Sequence, residues 1–169
     1  MATKPPVTYK AFTVDYHQRS NKLKTAISIS NGSSSITGTA LWDTGATISC
    51  VSEVVAQQLN LVPTGMMNIQ TPSSTKAVKT YLVNVGLPNH LNVNDVQVCE
   101  TDIGKQGIEM LIGMDIITLG DFSVSNFNNN TVFTFRFPSK EKIDYVPPSN
   151  IDNIIGPKHG KGKGKHKKK

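Results

Sequence analysis

The 169-residue sequence contains few cysteines and no long apolar run. No segment reaches the roughly 18 consecutive apolar residues that a membrane-spanning helix requires, and no apolar run of the secretory type follows the first ten residues. We therefore expect a soluble cytoplasmic protein. In that compartment Cys50 and Cys99, which are the only two cysteines, are expected to be reduced and buried rather than bridged.

The sequence also lacks the motifs of several large enzyme classes. Outside the C-terminal tail, His17 and His90 are far apart, and no histidine or cysteine pair has the spacing of a zinc site. There is no nucleophile elbow, no phosphate-binding glycine loop and no dinucleotide fingerprint. These absences argue against zinc, phosphate-loop and dinucleotide sites.

Positive charge is concentrated at one end of the chain. The formal net charge is +6, but residues 156–169 hold 7 of the 18 lysines and arginines and no acid, which leaves 11 bases and 12 acids in the remainder, a net charge of −1. Such a Lys/Gly-rich tail is predicted to be disordered. It could bind an anionic partner, either nucleic acid or a membrane surface, or it could serve only as a solubilising tail.

Short apolar or alternating runs bounded by turn residues recur along the chain and predict an all-β protein. The predicted strands are 9–16, 23–30, 36–42, 66–69, 77–87, 92–99, 107–113 and 131–137. Two short helices are predicted at 53–61, capped by Ser52 and with Val55, Leu59 and Val62 on one face, and at 114–119. The last strand places Phe133, Phe135 and Phe137 on one face, which predicts a buried aromatic row.

Asp43 stands out because it ends an apolar strand, in the sequence "ALWDTGATISC" of residues 40–50. An isolated buried carboxylate is costly, so this acid must be exposed in a cleft, paired or protonated. Gly45 allows close approach of the backbone, and Thr44 supplies a hydroxyl that can hold the turn. The pattern predicts a rigid loop that presents a single acid.

This loop resembles the catalytic loop of the retropepsin-like (retroviral-type) aspartic proteases, which contains apolar residues followed by Asp-Thr-Gly-Ala. About 70 residues later, "MLIGMDII" (110–117) is similar to the family's second hallmark, an apolar-Gly segment that enters a short helix. The segment "LGDFSVSN" and the strand after it are similar to the closing hairpin of bacterial and transposon-like members. The resemblance spans residues 21–137 and implies a closed β-barrel with one half-site per chain.

Peptide hydrolysis by aspartic proteases needs two carboxylates that share a proton, since two like charges about 3 Å apart cannot both be ionised. The chain has one Asp-Thr-Gly, so the resemblance implies a homodimer in which Asp43 of each copy forms the catalytic pair. Thr44 and Gly45 would support the loop. The implied substrate is an extended polypeptide, cleaved by an aspartic endopeptidase.

The same resemblance implies a substrate cleft covered by a β-hairpin flap. Leu41, Ala46, Thr47 and Ile112 are expected to contact substrate. The flap is expected within 66–83, with its tip at Thr71, Pro72, Ser73 and Ser74. Trp42 stands where the family usually has a smaller aliphatic residue, and we expect it to pack in the core rather than against substrate.

The expected organisation is an N-terminal extension or first strand at 1–20, the protease domain at 21–137, a linker at 138–155 and the tail at 156–169. Two other functions remain open from the sequence. One is a non-catalytic dimerisation or peptide-binding module with the same fold, and the other is a nucleic-acid-binding protein, which depends wholly on the tail.

Overall fold

The chain folds into two β-sheets whose strands are separated by turns. Its structure is a computed structural model that describes residues 10–71 and 74–146. The strands are β1 Lys10–Asp15, β2 Leu23–Ser30, β3 Ser35–Trp42, β4 Cys50–Ser52, β5 Gly65–Thr71, β6 Ser74–Leu87, β7 Leu91–Thr101, β8 Met110–Ile112, β9 Asp121–Ser125 and β10 Val132–Phe137. The helices are α1 Glu53–Gln58 and α2 Met114–Ile117, with 3-10 turns at Gly104–Gln106 and Phe127–Asn129.

The larger sheet closes into a six-stranded barrel. Its strand order is β2-β3-β8-β4-β7-β6, and β2 then pairs with β6 to close the ring. Strand β5 adds to the outer edge of β6. The all-β, closed-barrel prediction is therefore confirmed, with two short α-helices as predicted.

The barrel interior follows from the alternation of side chains along its strands. On β2, Thr25, Ile27 and Ile29 are buried, and so are Val83 and Val85 of the neighbouring strand β6. The continuous buried cluster includes Val83, Val85, Leu91, Val98, Met110 and Ile112. Burial of this apolar surface is the main source of the barrel's stability.

The smaller sheet, in the order β1-β10-β9, covers one side of the barrel. Phe12 on β1 and Phe133 and Phe135 on β10 are buried and pack around Trp42 of β3. The predicted aromatic row of β10 is thus buried at its first two positions, and Phe137 packs partly buried at the edge of the same cluster. The cluster lies directly behind the end of β3.

The first helix is shorter than predicted. Ser52 caps it as expected, because its hydroxyl accepts the Val55 N–H at 3.2 Å. The helix ends at Gln58, and Asn60 adopts a left-handed conformation with φ 46° that stops the spiral. Val55 and Leu59 are buried as predicted, but Val62 lies beyond the helix and is 79% exposed.

Two further differences concern short elements. Strand β4 has no counterpart among the predicted strands, because three residues are too few to show an alternation. The strand predicted at 107–113 is limited to Met110–Ile112, since Gly107 takes a left-handed φ of 66° as it ends the 3-10 turn. No helix within the described ranges is long and apolar enough to cross a membrane.

Residues 138–146 form no helix or strand, but they are attached to the smaller sheet. The Ser139 hydroxyl and the Lys140 N–H both donate to the Asp121 carboxylate, at 2.6 and 2.9 Å. Tyr145 bonds to Ser123 at 2.9 Å. The rest of the predicted linker, the predicted tail and residues 1–9 lie outside the described part of the chain.

Candidate active site

The loop that carries Asp43 begins where β3 leaves the barrel. The Asp43 N–H donates to the Ile112 carbonyl at 2.9 Å, so the start of the loop is held to β8, the parallel neighbour of β3. The Ala46 N–H then donates back to the Asp43 carbonyl at 3.2 Å and closes a tight turn. These two bonds fix both ends of the Asp-Thr-Gly segment.

The carboxylate of Asp43 is held by its own loop. Its Oδ1 accepts the Gly45 N–H at 2.8 Å, an Asx-type turn bond. A Cβ at Gly45 would lie 3.1 Å from that oxygen, a tight contact that glycine avoids. Asp43 is half-buried, while Thr44 and Gly45 are exposed, so the loop presents its acid to a surface.

Trp42 anchors the loop from inside the protein. Its indole Nε1–H donates to the Thr25 hydroxyl at 3.0 Å, and its ring centroid lies 4.9 Å from those of Phe133 and Phe135. Only 5% of Trp42 is exposed. The expectation that this bulky residue fills core space is confirmed, and its rigid packing limits the motion of the acid that follows it.

A second segment supports the loop from behind. The Met114 N–H donates to the Ala46 carbonyl at 2.8 Å, and the Asp115 N–H donates to the Thr47 carbonyl at 3.2 Å. A Cβ on Gly113 would lie 2.8 to 3.0 Å from backbone atoms of Ala46 and Ile48. Glycine is therefore required for the two segments to approach so closely.

Ser49 and Asp115 join the same two segments, and no sequence pattern predicts this pair. The Ser49 hydroxyl donates to Asp115 Oδ1 at 2.7 Å, and its oxygen accepts the Gly113 N–H at 3.0 Å. Ser49 is fully buried. A serine shortly after the acid loop, and an acid two places after a glycine, are too common in sequences to indicate such a bond.

A cavity of about 670 Å3 lies beside the acid loop. One wall is formed by the loop and β4, including the predicted substrate contacts Ala46 and Thr47. The facing wall is formed by the β5–β6 hairpin, through Met67, Asn68, Ile69, Gln70 and Thr75. The structure thus brings these predicted cleft residues and the predicted flap region to one cavity.

The hairpin that faces the loop spans the predicted flap segment. Strand β5 pairs antiparallel with β6 from Gly65 opposite Thr80 to Thr71 opposite Ser74. Thr71 and Ser74 are the pair at the far end of this ladder. The predicted tip residues Pro72 and Ser73 lie outside the described residues.

Two of the predicted substrate contacts are placed differently. Leu41 is partly buried and borders a second cavity of about 480 Å3, together with Asp43 and Thr44. Ile112 is fully buried and does not border the first cavity, because alternation along β8 turns it into the core. Its neighbour Leu111 is partly exposed and is paired with Leu41 of β3. Leu111 is therefore the β8 residue that lies on the same side of the sheet as Leu41.

The chain is similar to several solved structures of retropepsin-like proteins. A retropepsin-like aspartic protease from Rickettsia conorii matches with 13% identity and a TM-score of 0.52, over 79% of this chain and 99% of that chain. The Simian Foamy Virus (mac) protease matches with 22% identity and a TM-score of 0.40, over 55% of this chain and 89% of that chain. The retroviral protease-like domain of Ddi1 from Leishmania major matches with 13% identity and a TM-score of 0.44, over 68% of this chain and 95% of that chain.

The sequence also matches a protein-family model. The model described as aspartyl protease matches residues 26–116, which is more than half of the chain and includes both the Asp43 loop and the Gly113 segment behind it. The barrel, shared with the Rickettsia protein, agrees with that match. The chain therefore belongs to the aspartyl protease family and has the retropepsin-like fold.

Proposed function

We propose that the protein is an aspartic endopeptidase that acts as a homodimer on extended polypeptide segments. The observation that carries this proposal is the presentation of Asp43. Its carboxylate accepts the Gly45 N–H, and Gly113 packs against the backbone that follows the loop. Asp43 itself lines the second cavity, while Gly45 and Ala46 of the same loop line the first cavity, which the β-hairpin faces. A rigid, accessible acid of this kind is suited to catalysis.

One chain supplies half of the required chemistry. Among the described residues that line the two cavities next to the loop, Asp43 is the only acid. We propose that a second copy docks about a twofold axis and brings its own Asp43 loop to the second cavity, where Leu41, Asp43 and Thr44 are found. Thr44 of each copy would bond across the axis.

In the assembled pair, the two carboxylates would share one proton. One carboxylate would remove a proton from a water as its oxygen attacks the peptide carbonyl carbon. The other would donate a proton to the carbonyl oxygen, which forms a neutral tetrahedral intermediate. Thr44 and Gly45 would keep the carboxylates in place, and no metal or cofactor takes part.

The substrate would lie between the loop and the hairpin. Strand β5 stands at the edge of the sheet order and can pair with an extended peptide by strand addition. Leu41, Ala46, Thr47 and Leu111 would contact its side chains, and the hairpin of β5 and β6 would close over it. Ile112 would act only as packing behind the loop.

The direct experiment compares the wild type with Asp43→Asn, and with Asp95→Asn as the matched control. Asp95 is exposed on β7 and has a φ of 55°, a conformation that asparagine accepts well. After incubation with a peptide library, mass spectrometry should find cleavage by the wild type and Asp95→Asn and none by Asp43→Asn, while all three sediment as dimers. Cleavage by Asp43→Asn would reject the mechanism.

The alternative is a non-catalytic module that dimerises or binds peptides with the same fold. A wild-type protein that binds library peptides and cleaves none would support that alternative. The Lys-rich tail and its anionic partner, nucleic acid or a membrane surface, form a separate proposal. Deletion of 156–169 should then remove binding to both polyanionic oligonucleotides and anionic vesicles.

A further inference from the structure

The two cysteines of the chain meet in the wall of the candidate cleft. Cys50 opens β4 and Cys99 lies on β7, and the two residues are partners in the parallel pairing of these strands. Their sulfur atoms are 2.9 Å apart, and neither is in a disulfide. Both residues border the cavity between the Asp43 loop and the hairpin.

This geometry is suited to a covalent bond between the sulfurs. Neighbouring strands are about 4.8 Å apart, which lies within the range of about 4.4 to 6.8 Å between the Cα atoms of natural disulfides. The sulfurs need to approach by about 0.9 Å, from 2.9 Å to the bonded distance of about 2.05 Å. Rotation of the two side chains can supply such a movement without separating the strands.

The surroundings make the two thiols different from each other. With the Cys50 S–H as donor, the hydrogen bond between them raises the pKa of Cys50 and lowers the pKa of Cys99. Cys50 is partly exposed and Cys99 is buried. After either thiol reacts, the sulfur of the other lies 2.9 Å away and is in place to resolve the product.

We propose that Cys50 and Cys99 form an oxidation-sensitive dithiol, which a peroxide converts into a disulfide within one chain. The thiolate of one cysteine attacks one oxygen of hydrogen peroxide, the O–O bond breaks, and with one proton a sulfenic acid and water result. The sulfur of the other cysteine then attacks the sulfenic sulfur, loses its proton to the departing hydroxide, and forms the S–S bond and a second water. In total two thiols lose two hydrogens, and one peroxide becomes two waters.

The bond would change the wall of the cleft. It would tie β4 to β7 next to Ser49, whose hydroxyl connects the Asp43 loop to Gly113. It would also remove both thiols from the cavity surface and fix the position of Cys50, which is partly exposed there. Any effect on peptide cleavage rests on the proposed function, whereas formation of the bond does not.

The test uses the whole wild-type chain, treated with hydrogen peroxide, then alkylated under denaturing conditions and weighed by mass spectrometry. Because the chain has two cysteines in total, a monomer that has lost two hydrogens and resists alkylation can contain only this bond. We expect that species as the main product, and we expect dithiothreitol to restore two alkylatable thiols. Sulfinic acids or disulfides between chains as the main product would overturn the proposal.

Two sets of variants sharpen the result. Cys50→Ser and Cys99→Ser should each keep one thiol that is alkylated or gains oxygen, and neither should lose two hydrogens within a monomer. Asp43→Asn should form the bond to the same extent as the wild type, because the chemistry does not use Asp43. If the protein cleaves no peptide, the mass measurement still tests the disulfide. If the disulfide does not form, the proposed peptidase activity is unaffected.

Discussion

Ser49 binds Asp115 with both of its donors, the backbone N–H at 3.0 Å and the hydroxyl at 2.7 Å. The same hydroxyl oxygen accepts the Gly113 N–H at 3.0 Å. One buried serine thus connects the segment after the Asp43 loop to both the glycine and the acid at the start of α2. The segment that follows the proposed catalytic acid is therefore held by this connection in addition to the acid's own Asp-Thr-Gly turn.

Replacement of Ser49 by alanine should therefore weaken the fold at the site. Ser49→Ala removes a donor to the Asp115 carboxylate and leaves the buried Gly113 N–H without its acceptor, at a cost of about 1 to 3 kcal/mol in the free energy of unfolding. Urea denaturation measures this loss. Ser33→Ala, in the exposed turn between β2 and β3, should change it by less than about 0.5 kcal/mol, and equal effects of the two substitutions would contradict the assigned role.

Gly113 offers a second test of the same support. In Gly113→Ala the new Cβ would collide with rigid backbone atoms of Ala46 and Ile48, so the loop must shift. We expect a loss of about 1 to 3 kcal/mol in the free energy of unfolding, which is typical of overpacked sites, and lower peptide cleavage.

Gly65→Ala is the matched control for that substitution. Its Cβ would meet only the Thr80 hydroxyl, at an ordinary distance of 3.4 Å. Thermal unfolding of the two variants should separate them clearly. A Gly113→Ala protein as stable as Gly65→Ala would show that the close approach behind the loop is not needed.

The barrel is predictable from the sequence because its strands alternate or are bounded by clear turn residues, as in Leu23–Ser30 and Leu91–Thr101. The Asp43 loop is predictable because a carboxylate at the end of an apolar strand needs a special environment. Both hallmarks of the family lie in short local segments, so the resemblance can be recognised without knowledge of the fold.

The contacts between distant segments cannot be predicted in this way. The Ser49–Asp115 bond and the Cys50–Cys99 contact join residues 66 and 49 positions apart, and they depend on strand pairings that local patterns do not specify. The prediction that Ile112 contacts substrate is wrong. The apolar run around it shows no alternation from which to tell its direction, and in β8 the side chains of Met110 and Ile112 both point into the core.

Asp121 should make stability depend on pH in acid. Hydrogen bonds from the Ser139 hydroxyl and the Lys140 N–H, together with the Arg136 guanidinium, lower the pKa of Asp121 from 3.8 to about 2. Because the folded pKa is lower than the unfolded value, this stabilising contribution is fully present above about pH 4 and is lost as the pH falls through about 2.

The measurement is the urea midpoint of the wild type and of Asp121→Asn at a series of pH values from about 6 down to about 2. The wild type should be the more stable protein at the upper end, and the difference should shrink as the pH falls. A difference that stays constant over this range would show that the ionised carboxylate does not attach residues 139 and 140 to β9.

Formation of one catalytic pair from the Asp43 side chains of two copies can be tested by subunit mixing. Wild-type protein is allowed to exchange subunits with about a ten-fold excess of Asp43→Asn, and peptide cleavage is measured per wild-type chain. We expect activity to fall to about one tenth, because most wild-type chains then lie in mixed dimers, while the same excess of serum albumin has no effect. Activity that stays proportional to the amount of wild-type chain would rule out a shared pair.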